Sequence, residues 1–260
     1  MDALGLPDFE TEQHCTDRQQ RMVRALARAK ARRGLTHALA RCTADACGSH
    51  RCREGCHHAA RRLRLALVPQ ADRLLRAQPG PLLNVTLVHP AWEAAYEAGP
   101  EAISIPTVKQ WLKRRLTRLT RLTGASIMAA GSFEVSLNIG DAGTKTWAGH
   151  VHFNCAGATR KGLHAALAIG SSNTLDDYAK PLVIKEVTNT ARQQAYALKR
   201  FAEQRMAYKA DNGRRARRSL PLDTADQLTF DRWLCELSSG ERVFLFGCKR
   251  LNGQLVGSSR

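Results

Sequence analysis

The chain has 260 residues, of which 43% are hydrophobic and 24% charged, a composition that excludes wholesale disorder as well as collagen-like and coiled-coil structure. Forty Lys and Arg against 23 Asp and Glu leave a net charge of +17. Such an excess predicts a polyanionic partner, nucleic acid first, because neutralising phosphates releases condensed counterions. No run approaches the length of a membrane span, and the opening MDALGLPDFETE is acidic where a signal peptide is basic and then apolar. The expectation is a cytoplasmic protein with no membrane partner.

Residues 18–41 (RQQRMVRALARAKARRGLTHALAR) are rich in Ala, Arg and Leu, with Met22, Leu26 and Ala29 at helical spacing, and predict a basic helix. A cysteine cluster follows, with Cys42, Cys47, Cys52 and Cys56 close together and His57 and His58 immediately after. In a reducing compartment, thiols so close in sequence bind zinc more often than they form disulfides. The spacing C-x4-C-x4-C-x3-C departs from paired C-x2-C motifs, so the fourth ligand is either Cys56 or His57. Pro69, Pro79, Gly80 and Pro81 mark a boundary near residue 80. Residues 1–80 therefore read as a basic helix plus a Cys-rich zinc module, and residues 81–260 as a second domain.

LLNVTLVH (82–89), apolar, β-branched and bounded by Pro81 and Pro90, predicts a buried strand. Pro106 and Thr107 open a helix with an apolar stripe of Trp111, Leu112, Leu116, Leu119 and Leu122, stopped by Gly124. SIMAAGSFEVSLN (126–138) and TWAGHVHFNCAG (146–157) predict the two strands of an antiparallel hairpin. A further helix is expected over 188–209, with Asn212-Gly213 and the block Arg214, Arg215, Arg217 and Arg218 forming a loop after it, and one or two short strands close the chain. The order β, α, β, β, α, β over 82–250 predicts an α+β fold, a ferredoxin-like or RRM-like antiparallel sheet with helices on one face. Trp92, Trp111, Trp147 and Trp233 read chiefly as core anchors.

Alternation along the hairpin carries the chemistry. In TWAGHVHFN, His150 and His152 share one strand face while Val151 and Phe153 point to the other. Pairing apolar with apolar across the hairpin puts Phe133, Val135 and Leu137 opposite the latter and Glu134 on the histidine face. Two imidazoles and a carboxylate make a divalent-metal site with open positions. On the expected helix, Tyr196 and Lys199 stand three residues apart, so a phenol and an ammonium can meet one phosphate. The arginine block is either a solvated loop or a contact for the DNA backbone.

With these residues in place, the sequence resembles the HUH endonuclease superfamily, and within it the single-tyrosine rolling-circle replication initiators of plasmids and phages. VTLVH (85–89) is similar to their first strand motif, GHVHF (149–153) to their His-hydrophobic-His motif and YALK (196–199) to their Tyr-x-x-Lys motif, in the family's order. The resemblance implies that His150 and His152 bind Mg2+ or Mn2+. It implies that Tyr196 attacks single-stranded origin DNA, giving a 5′-phosphotyrosine and a free 3′-OH, with Lys199 assisting. Glu134 as third ligand rests on the register argument. Two-tyrosine members carry a second Tyr one turn later, where this chain has Arg200, so a single-tyrosine mechanism is implied. No G-x-x-x-x-G-K-[ST] motif is present, so a host helicase, with a host polymerase, is expected to act alongside. The competing expectations are a single-tyrosine transposase or relaxase of the same superfamily, and a non-catalytic RRM-like nucleic-acid-binding protein whose histidines and Tyr196 are structural.

Overall fold

The computed structural model describes residues 11–31, 33–43, 47, 52–140, 142–168, 181–187, 189–209 and 215–258. The N-terminal basic segment forms two helices where the sequence predicts one, α1 (Glu12–Arg28) and α2 (Arg33–Ala40). The chain turns between them at Lys30, whose φ of 52° no helix can accommodate. α3 (His57–Arg76) starts at the N-cap Cys56 and continues through Pro69, although the sequence places that proline among the residues marking the boundary near residue 80. Proline removes a helical hydrogen bond, but Leu67, Val68, Ala71 and Leu75 around it are all buried, and their burial offsets that loss.

Among the described residues seven strands form one sheet: β1 (Leu83–Ala95), β2 (Met128–Ile139), β3 (Lys145–Ala156), β4 (Leu182–Glu186), β5 (Glu203–Lys209), β6 (Arg215–Pro221) and β7 (Val243–Phe246). Their order is β4-β1-β3-β2-β5-β6, with β7 pairing the other end of β2. All pairings are antiparallel except β2–β5. β8 (Cys248–Leu251) and β9 (Gln254–Gly257) make a separate two-stranded ribbon, so the chain closes on three short strands. β1 extends past Pro90 through a register break between Val88 and Glu93, which lets the strand keep its partner without the proline's missing donor.

The main core lies on the sheet face that carries Val85, Leu87, Phe133, Val135, Val151 and Phe153. Three helices cover it: α4 (Ile105–Thr123) through Val108, Leu112, Leu116 and Leu119, α5 (Arg160–Leu167) through Leu163 and Leu167, and α7 (Thr224–Glu236) through Phe230, Trp233 and Leu234. α4 is capped by Ser104, which accepts from the Thr107 amide, and ends at Gly124 in the left-handed conformation. Trp92, Trp147 and Trp233 are buried in this core and Trp111 packs against it, as expected of anchors.

The helices are not confined to one face, as the sequence order suggested. α3 packs Leu67, Ala71 and Leu75 against Met128, Ala130 and Ala156 on the opposite side, and α6 (Thr190–Ala197) sits beside it, joined through Val68 and Ala195. The second face needs a cover because it holds Ser132, Glu134, His150, His152 and Asn154, all buried. α6 itself is shorter than predicted. TNTARQQAYALKRFAEQRMAYK consists of good helix formers, yet the helix stops at Ala197 and residues 203–209 become β5, alongside the end of β2. Tertiary pairing outweighs local propensity here. The arginine block consequently lies mostly on an edge strand: Arg215, Arg217 and Arg218 are in β6, and Arg214 is outside the described residues. Among the described residues no helix is long and apolar enough to cross a membrane.

The tightest constraint on the central hairpin is Gly131, where an added Cβ would fall onto the His152 carbonyl and the Phe153 backbone. Gly131→Ala therefore forces β2 and β3 apart and is expected to cost about 1–3 kcal/mol, read as a lower urea midpoint. An unchanged midpoint would contradict the described pairing.

Candidate functional site

The site is built on the register of β2 and β3. Glu134 stands directly opposite His150, and Ser132 opposite His152, with Phe133 opposite Val151 on the core side. The expected convergence of Glu134, His150 and His152 on one face is thus present. Their ligand atoms lie within 4.8 Å of one another. Glu134 Oε2 is 3.3 Å from His150 Nε2 and 3.8 Å from His152 Nε2. All three side chains are buried.

β1 adds a residue to the site. Thr86 is the register partner of His152, and its Oγ1 lies 2.8 Å from His152 Nδ1. When Nδ1 donates to that hydroxyl, Nε2 turns its lone pair towards Glu134, the tautomer a metal ligand requires. The signal was available, since Asn84 and Thr86 alternate with Leu83, Val85 and Leu87 just as the histidines alternate with their neighbours. Arg205, on β5, is a second addition, with Nη2 3.5 Å from His150 Nε2.

Burial, with the cations Arg205 and Lys199 nearby, holds His150 well below the ordinary histidine range. His152 is pushed down to about 3 by burial, against the pull of the Glu134 carboxylate. Both imidazoles are therefore neutral near pH 7, as coordination demands. Glu134 Oε1 and His152 Nε2 are buried without a hydrogen-bond partner. Buried acceptors left unmatched are costly, and a divalent cation bound between them would satisfy both. The donor set could accordingly hold a divalent cation.

Tyr196 and Lys199 reach the same place from above the sheet. α6 is fastened across the histidine face: the Asn154 amide donates to Gln194 Oε1 at 2.8 Å, and the Ser132 hydroxyl donates to the Ala197 carbonyl. The Tyr196 ring meets the His152 ring edge-on at 5.7 Å between centroids. Lys199 lies two residues beyond the helix end rather than on the helix face, and its amide bonds the Tyr196 carbonyl. Its Nζ donates to Tyr196 Oη at 3.0 Å and stands 3.3 Å from Glu134 Oε2. Burial alone would lower the Lys199 pKa, but Glu134 and the Tyr196 hydroxyl more than reverse this and keep the ammonium charged. Tyr196 is half-buried, whereas Lys199 is enclosed.

Cys42, Cys47, Cys52 and Cys56 form a second cluster, with all four sulfurs within 4.8 Å of one another. Cys47 Sγ is 3.4 Å from both Cys52 Sγ and Cys56 Sγ. His57, the other option for the fourth position, instead takes the Arg200 guanidinium, 2.6 Å from Nε2. Burial, aided by the neighbouring sulfurs, pushes the Cys42 thiol up to about 12 and the Cys47 thiol higher still. Four sulfurs so crowded could hold a metal ion. Cys155 and Cys235, pushed up to about 12 by burial, are inert core thiols. Arg218 is exposed on β6. The side chains of Arg215 and Arg217 lie outside the described residues.

No family model, curated protein or solved structure matches the chain.

The buried imidazoles couple stability to pH. Unfolded, each titrates near 6.5, whereas folded they stay neutral far below that. Their contribution is complete above about pH 6.5 and is lost as pH falls, by about 1.4 kcal/mol per pH unit for each histidine. In metal-free protein the urea midpoint should drop between pH 7 and 5, more steeply in the wild type than in His150→Gln/His152→Gln. Equal slopes in the two proteins would contradict the burial of neutral imidazoles.

Proposed function

We propose that the chain is a metal-dependent single-tyrosine endonuclease and strand transferase of the HUH type, which nicks and rejoins single-stranded DNA at a replication origin. The observation that carries this reading is one unbroken line of short contacts. Tyr196 Oη lies 3.0 Å from Lys199 Nζ, which lies 3.3 Å from Glu134 Oε2, itself 3.3 Å from His150 Nε2. A phenol, a fixed ammonium and a metal-ligand set are what phosphoryl transfer to tyrosine uses.

Glu134, His150 and His152 would hold Mg2+ or Mn2+, which supplies Lewis-acid polarisation of a phosphate oxygen. The remaining work belongs to the chain. Lys199 stabilises the Tyr196 phenolate, whose proton leaves to solvent, and then offsets charge growing on the phosphate. The phenolate oxygen bonds to phosphorus, the P–O3′ bond breaks, and the departing 3′ oxygen takes a proton from water. The product is a 5′-phosphotyrosine that conserves the energy of the phosphodiester, so a later 3′-OH rejoins the strand by the reverse step. Thr86 orients His152 throughout.

The net charge of +17 supports a nucleic-acid substrate, whose backbone Arg214, Arg215, Arg217 and Arg218 would contact. Cys42, Cys47, Cys52 and Cys56 would hold a structural Zn2+. Action in the cytoplasm beside a host helicase and polymerase completes the reading, since the chain has no nucleotide-binding loop of its own.

Incubating the protein with pooled single-stranded and hairpin oligonucleotides should give a covalent adduct on a denaturing gel with Mn2+ and none with EDTA. Tyr196→Phe should abolish the adduct while retaining binding, and Lys199→Met should slow its formation by about 10²-fold. Tight, salt-sensitive binding with no adduct from any oligonucleotide would instead identify a non-catalytic nucleic-acid-binding module.

A further inference from the structure

Cys56 belongs to two structures at once. Its sulfur is one of the four that could hold a metal, and as N-cap of α3 it accepts the Ala59 amide. The residues on either side of it are tied to the segment that follows Tyr196. Arg200 Nε donates to the Glu54 carbonyl at 2.9 Å and its Nη2 to the Gly55 carbonyl at 2.8 Å, while Nη1 lies against the His57 ring. Arg242 Nε stands 3.3 Å from Glu54 Oε2, and its other nitrogens donate to the Lys199 carbonyl at 3.4 and 3.5 Å. Both guanidiniums are buried, at 6% and 5% exposure, so water does not compete for these bonds. A second route runs through packing, for α3 carries α6 on Val68 and Ala195, with Leu65, Ala191 and Leu198 around them.

Two buried cations and one helix contact thus join residues 54–57, beside the four-cysteine cluster, to residues 195–200, which carry the phenol and the ammonium. Resting on the reading of Tyr196 as nucleophile, we propose that Arg200 and Arg242 are positioning residues that link the four-cysteine metal site to Tyr196 and Lys199. Metal in that site licenses the nucleophile without forming part of the second, Glu134–His150–His152 site. With four thiolates gathered on a cation, the turn at 54–57 is cross-linked to residue 42 and its carbonyls are fixed acceptors for Arg200. Without the cation the thiols have nothing to gather on, the turn loosens, and Lys199 shifts relative to Tyr196. Displacements of about 1 Å in a reacting pair cost on the order of 10²-fold in rate.

The test uses the full chain, first loaded with Zn2+, then stripped with EDTA under reducing conditions and resupplied with Mn2+ alone or with Mn2+ and Zn2+. Arg200→Lys and Arg242→Lys are prepared alongside, the second as a control should the first fail to fold. Zinc removal and each variant should raise hydrogen exchange across 196–203 while the 128–156 hairpin stays protected. Each should also slow single-turnover adduct formation at saturating oligonucleotide by about 10²-fold, with the DNA dissociation constant and Mn2+ affinity unchanged. Zn2+ should restore the wild type and leave the variants slow. Unchanged exchange at 196–203 in zinc-free protein would overturn the link, as would a loss of protection spread equally over the hairpin. A parallel fall of rate and DNA affinity would also overturn it. If the zinc-loaded wild type forms no adduct with any oligonucleotide, the nuclease reading falls, and the exchange measurement alone decides the link.

Discussion

The pairing of Glu134 with His150 across β2 and β3 is the constraint on which the rest of the molecule depends. Strand side chains alternate, so a slip of one residue would carry Glu134 through the sheet into the cluster of Phe133, Val135 and Phe153, and the histidine face would receive phenylalanine. The apolar half of the alternation prevents that slip. Phe133, Val135, Val151 and Phe153 are held under α4 and α7, and the energy of that burial sets the register on which the opposite face relies.

The opposite face carries an unusual load for a sheet interior. A carboxylate, two imidazoles, an ammonium and an asparagine are all buried there, and removing one member of such a group leaves the others without partners. α6 resolves part of this by bringing Lys199 to Glu134, and Gln194 to Asn154. Among the atoms it leaves unmatched are Glu134 Oε1, His152 Nε2, His150 Nδ1 and Gln194 Nε2, and the first two belong to the group that could hold a metal ion. Buried polar atoms left without partners cost stability.

The parts of this arrangement that were legible in the sequence are those governed by the two-residue period. HVH and FEVSL alternate cleanly, and the face shared by Glu134, His150 and His152 follows from counting. The four cysteines were legible from their crowding, but only the structure shows the Cys56 sulfur gathered with the other three while His57 lies against Arg200. Residues 198–209 were misread because Ala, Leu, Lys, Arg, Glu and Gln favour helix wherever packing is indifferent, and the pairing of residues 204–206 with β2 is not indifferent. The same error hid Arg205 and put Arg215, Arg217 and Arg218 in a loop instead of an edge strand. Pro69 misled for the opposite reason: a strong local breaker was overridden by the buried stripe on either side of it. The second helical layer could not be read from element order, since order does not say on which face a helix returns.

The most direct test of the central claim is the site of attachment. After incubation with single-stranded oligonucleotides and Mn2+, nuclease and trypsin digestion followed by mass spectrometry should find a 5′-linked nucleotide on the peptide 193–199, localised to Tyr196, and none when EDTA replaces the ion. A nucleotide attached to a different residue, or an unmodified Tyr196 in protein shown to hold both Mn2+ and DNA, would contradict the account.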